Sequence, residues 1–197
     1  MQSAMVPPAL ALWRAGHGAR SAVQSGKAAE RTSDGNGTSV SRTGVGAPAL
    51  LLACGNSLRQ DDGVGLQIAG AAEQLFPASR LRIIATPQFT PEMAAELAAT
   101  DLALFVDASA SDEPGAIRVS PVAPCTESAE THRLDPPALM ALAQQVCGHA
   151  PARAFVVTIG AQSFGYGEDL LGRVHQAVPR AVRLLGNLIT AFGNSAI

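Results

Sequence analysis

The sequence predicts a doubly wound, three-layer α/β sandwich: a mostly parallel sheet with one edge strand and helices on both faces. Three observations carry this. Short apolar runs (Ala49–Ala53, Leu102–Val106, Phe155–Ile159) show no alternation, as strands covered on both faces do. They alternate with stretches of helical period, in the order β-α-β-α-β-β-α-β-α. One run alone, Ala116–Pro121, alternates apolar and polar residues and reads as the edge strand.

The element from which the rest follows is Leu50–Phe76. A strand over Ala49–Ala53 feeds a loop opened by Gly55-Asn56 and closed by Asp61-Asp62, and a helix begins near Gly63 with Val64, Ile68, Ala72 and Leu75 on its apolar side. Leu81–Ala85 is a second strand. Thr90 then reads as an N-cap with Pro91 at the first helical position, opening a helix that runs to about Thr100. Leu102–Val106 ends directly in Asp107. After the edge strand a polar loop leads to Asp135-Pro136, the cap and first residue of a helix with Leu139, Leu142, Ala143 and Val146 on its apolar face. Phe155–Ile159 closes on Gly160, a Gly-rich loop follows, and a last helix from about Val178 to Phe192 carries Val178, Val182, Leu185, Ile189 and Phe192 on one stripe.

At 197 residues the chain has room for one domain with a proper core. Residues 1–46 lack apolar period and read as a disordered N-terminal extension, with a transit-like segment as the alternative; the domain occupies 47–197. No apolar run approaches the roughly 20 residues of a membrane span. From residue 47 onward there are nine basic and fourteen acidic side chains, a net of −5. No clustered basic face results, which argues against nucleic acid as a partner. Lys27 is the single lysine, so a P-loop or Schiff-base chemistry is excluded from the domain. Three widely spaced cysteines form neither a disulfide framework nor a CxxC site, in keeping with a reducing, cytoplasmic setting. A monomer is expected, because no long exposed apolar stripe is visible.

Asp62 in the loop after the opening strand, Asp107 at a strand end and His132 in the loop before the third long helix can meet at one edge of the sheet. Two carboxylates and an imidazole suit zinc, nickel, iron or manganese. Each also has an ordinary structural reading, as helix cap, loop tie or solvated side chain. Cys54 reads as a small packing residue rather than a nucleophile. No G-x-S-x-G elbow and no HExxH helix is present.

The run GNSLRQDDGVG after a hydrophobic strand resembles the signature of the hydrogenase maturation proteases, G-N-x-L-x-x-D-D/E-G-x-G. The likeness continues through Phe105-Val106-Asp107-Ala108 and His132-x-Leu134, so it spans about residues 48–192. The resemblance implies an endopeptidase that removes the C-terminal extension of a nickel-iron hydrogenase large subunit after nickel insertion. It implies Asp62, Asp107 and His132 as metal-contacting residues, with Asp62 and Asp107 as the candidates for catalysis. It implies no permanent cofactor: the nickel is contacted in the substrate, the large-subunit precursor. Two routes to hydrolysis stay open, nickel as Lewis acid or a carboxylate as general base. This chain departs from the pattern at Ser57, where many members have Pro, and at Gln60, where they have Gly. The segment TPQFTPEMAAEL resembles an H/x-Q-L-x-P-E-L-A subset, with Gln88 and Thr90 read as helix-entry residues or, alternatively, groove-lining ones. The competing class is a non-cutting α/β module that binds a nucleotide or a maturation partner. It is disfavoured for nucleotide because the first loop is not GxGxxG and places acids at a helix start.

Overall fold

The computed structural model describes residues 47–125 and 134–193. Its five strands are β1 (Ala49–Cys54), β2 (Leu81–Thr86), β3 (Leu102–Ser109), β4 (Ile117–Pro121) and β5 (Arg153–Gly160), in the order β2-β1-β3-β5-β4. All neighbours are parallel except β4, which pairs antiparallel with β5 at the edge. The helices are α1 (Val64–Glu73), α2 (Met93–Ala98), α3 (Pro136–Cys147) and α4 (Gly172–Phe192). Helices α1 and α4 pack together on one face of the sheet, α2 and α3 on the other. The expected three-layer sandwich is therefore present.

Continuous apolarity in the central strands is explained by this arrangement. On β1 and β3, Leu50, Leu52, Ala103 and Phe105 join Met93, Leu97, Leu139 and Met140 in one core, while the intervening residues turn to the α1/α4 side. Every residue of β1 is buried. Gly65 lets α1 approach: a Cβ there would stand 2.2 Å from the Cys54 carbonyl oxygen and 3.2 Å from that of Val106. No helix among the described residues is long and apolar enough to cross a membrane.

Several expectations need correction. Leu75 lies beyond the end of α1 and is 68% exposed. In α3 the buried stripe includes Met140 and Ala141, which rotates its centre away from Val146 at about 100° per residue, and Val146 is exposed. Helix α2 starts at Met93 with Glu92 in the cap position, so Thr90 does not cap it. The Thr90 side chain instead hydrogen-bonds Glu92; the Glu92 backbone N–H and this contact hold the Glu92 carboxyl below its ordinary value. Helix α4 begins six residues before Val178, at Gly172, and keeps Pro179 in its second turn. Strand β3 runs past its apolar stretch to Ser109, because β5 offers it partners along its whole length. Asp135 caps α3 as expected, accepting the Ala138 N–H at 2.9 Å with Pro136 following. The extension assigned to residues 1–46 lies outside the described residues.

Candidate active site

The strand order reverses between β1 and β3: the chain leaves β1 for β2 on one side and returns to β3 on the other. Loops at the carboxyl ends of such a pair part company, and the crevice between them is where α/β sheets gather ligands. Residues 55–63 form the loop after β1. Asn56 organises its first half, its Oδ1 accepting the Leu58 N–H at 2.9 Å and its carbonyl the Arg59 N–H at 3.0 Å. Gln60–Gly63 then make a 3-10 turn that leads into α1 and packs against β3. Gly55 has φ +152°, and a Cβ on it would fall 2.0 Å from the Asp62 carbonyl oxygen. The motif's glycines thus fold the loop back onto its own acid pair.

The two acids in that turn differ. Asp62 is half-buried. Asp61 is fully buried, and its carboxylate accepts three backbone N–H groups from the loop after β5: Gln162 at 2.9 Å and Ser163 at 3.1 Å on Oδ2, Leu171 at 2.7 Å on Oδ1. A carboxylate out of water is tolerable only with such donors. Beside it, Gln60 holds φ +47°, a left-handed conformation that favours glycine. Here the Gln60 side chain is used: its Oε1 accepts the Ser163 hydroxyl at 2.5 Å, its backbone N–H donates to the Gly167 carbonyl at 2.7 Å, and it lies against Gly165 and Gly167. Sequence reasoning singled out Asp62 and passed over Asp61. The one available signal was the Gly-rich loop itself, whose unpaired N–H groups required an acceptor.

Asp107 lies inside β3, not at its end, half-buried and paired in register with Thr158 of β5. Its Oδ1 accepts the Ala108 N–H at 2.8 Å. Because Ala53 is level with Val106, Asp107 stands one step beyond the last β1 pair, beside the exit of the 55–63 loop. The approach of Gly65 to the Val106 carbonyl brings the start of α1 over the same peptide. Asp62 and Asp107 are thereby carried on touching elements at the switch point. The register extends the polar row to Arg118 of β4, opposite Thr158. Asp112 neutralises that guanidinium through an ion pair and accepts the Thr158 hydroxyl at 3.2 Å. The Arg118 hydrogen bonds, with those of the Ser109 and Thr158 hydroxyls, hold the Asp112 carboxyl below its ordinary value.

His132 lies outside the described residues, and among those described no group of three His, Cys, Asp or Glu side chains could hold a metal ion. Cys54 is buried at the end of β1 with its thiol donating to the Pro87 carbonyl at 3.3 Å. Gln88 is exposed beyond β2, where its N–H and carbonyl both bond the Thr86 hydroxyl.

Among solved structures the chain is similar to the hydrogenase maturating endopeptidase HybD from E. coli, with a TM-score of 0.60 and 22% identity over 73% of this chain and 93% of that one. The fold is that of the hydrogenase maturation endopeptidases. The NiFe hydrogenase maturation protease HycI from Thermococcus kodakarensis matches at TM-score 0.58 and 21% identity, covering 73% of this chain and 93% of that protein. A hydrogenase 2 maturation peptidase from a Thaumarchaeota archaeon matches at 0.55 and 19%, covering 73% and 98%. No protein-family model and no curated protein matches the chain.

Proposed function

We propose that the protein is a hydrogenase maturation endopeptidase, which removes the C-terminal extension of a nickel-iron hydrogenase large subunit once nickel has been inserted. The observation that carries this reading is the Asp62 turn seated against β3 beside Asp107, at the switch point of a sheet with this fold. Asp62 and Asp107 contribute oxygen donors, and His132 a nitrogen donor, to nickel already held by the substrate. Three donors leave coordination positions for the substrate's own ligands, so recognition depends on the metal having arrived. Hydrolysis adds water across one peptide bond. Either a carboxylate takes the proton from that water, or substrate nickel polarises the scissile carbonyl.

The test is cleavage of a nickel-loaded, unprocessed large subunit from the same source, with the nickel-free form beside it and mass spectrometry to follow the tail. The expected result is release only with nickel. Asp62→Ala is expected to lower cleavage by at least about 100-fold, a typical loss for a group engaged in the transition state, with the thermal midpoint kept. Cleavage that ignores nickel, or none at all, would overturn the reading.

A further inference from the structure

The Gly-rich loop after β5 is fixed far more firmly than its own burial explains. Asp61 takes three of its N–H groups, the Asp61 N–H donates to the Ser163 carbonyl at 3.3 Å, and Arg59 and Gly167 share a short parallel bridge made by the Gln60 N–H on the Gly167 carbonyl at 2.7 Å and the Gly167 N–H on the Leu58 carbonyl at 3.1 Å. Arg59 adds a bond from its Nη2 to the Phe164 carbonyl at 3.4 Å. Yet the tip so ordered buries little of itself: Tyr166, the single tyrosine of the chain, is 96% exposed, and Leu58 across the bridge is 57% exposed. Ordering a loop costs conformational entropy. Here that cost goes toward holding an aromatic side chain in water.

We infer that Leu58, Arg59 and Tyr166 form the surface on which the folded protein substrate docks, an inference that rests on the endopeptidase reading. The argument is one of reach. Leu58 and Asp62 are four residues apart in one turn, so their Cα atoms are separated by at most about 14 Å. A standard protein interface covers about 800 Å² on each partner, a disc roughly 16 Å in radius. A folded substrate that brings its metal to Asp62 therefore covers the Leu58–Tyr166 tip. Tyrosine and arginine on a preordered support are the residue types that dominate binding energy in such interfaces, because little freedom is left to lose.

The experiment compares wild type with the Leu58→Ala/Tyr166→Ala double variant on the nickel-loaded large-subunit precursor, measuring kcat and KM separately together with the thermal midpoint. Both side chains are exposed, so the midpoint should not move. KM is expected to rise about tenfold or more, the loss typical of an interface anchor, with kcat unchanged. A KM within twofold of wild type, or a fall in kcat alone, would overturn the docking surface while leaving the protease reading intact. Failure of the wild-type chain to cleave would overturn the proposed function, and this inference with it.

Discussion

Asp61 and Asp112 both tie a loop to the carboxyl edge of the sheet, and they do so by opposite means. Asp61 is buried and serves three backbone N–H groups, with no ion pair among the described residues. Asp112 serves an exposed guanidinium and two hydroxyls, groups that water can satisfy in its place. The first arrangement fixes the path of a loop. The second balances charge at a rim and leaves the backbone to other contacts. The partners decide between them. Both carboxylates are shielded, that of Asp112 to 8% exposure, but Asp61 serves backbone N–H groups whereas the guanidinium on Asp112 is 68% exposed to water.

The largest expected effect is at Asp61. Asp61→Ala strands three donors and should lower unfolding stability by about 3–5 kcal/mol, read from denaturant midpoints. Asp61→Asn keeps one carbonyl acceptor but turns an amide group toward N–H donors, and should fall between Ala and wild type. An Asp61→Ala protein as stable as wild type would break the comparison, since it would show that the loop holds itself.

At Asp112 the effect is smaller and depends on pH. Its folded carboxyl titrates below the ordinary value of 3.8. Its contribution is thus fully present above that value and is lost as pH falls through the lower, folded one. The unfolding midpoint of wild type should decline more steeply below pH 3.8 than that of Asp112→Asn. Parallel curves would mean that the pair is merely a surface contact.

Smallest of all is Gln60→Gly. Relief of the left-handed backbone is worth about 1 kcal/mol, offset by the lost Ser163 bond and by glycine's entropy in the unfolded chain. Net stability should change by less than about 1 kcal/mol, while amide exchange at Gly165–Gly167 quickens. Unchanged exchange there would show that Asp61 alone holds the loop.

How far the sequence could be read follows the same division. The strands were legible because burial on both faces removes alternation, and the Asp135-Pro136 cap because its chemistry is local. The position of Asp107 inside β3 was not, since strand length there is set by β5, whose paired residues lie about fifty positions later. Nor was the difference between Asp61 and Asp62. Neighbours in a 3-10 turn carry no periodicity to say which faces inward, and the donors that choose Asp61 lie over a hundred positions away. The start of α4 was not legible either, since the apolar stripe read from Val178 omits the helix's first turns. The helix opens at Gly172 and accommodates Pro179 within its second turn. Position in the α/β pattern and then the resemblance pointed to Asp62, Asp107 and His132; the Asp61 carboxylate that secures the turn beside Asp62 came from geometry alone.

The reach of the Asp61 bonds, spanning 101 to 110 positions, also sets a schedule for synthesis. Strand β5 is made last yet inserts between β3 and β4, so the sheet cannot close in the order in which the chain emerges. A nascent chain halted before Gln162 already contains Asp62 and Asp107 but none of the three N–H groups that Asp61 accepts. Contacts so distant in sequence form late and slowly. The sheet edge that carries Asp61, Asp62 and Asp107 therefore closes only after β5 and the loop beyond it have been made.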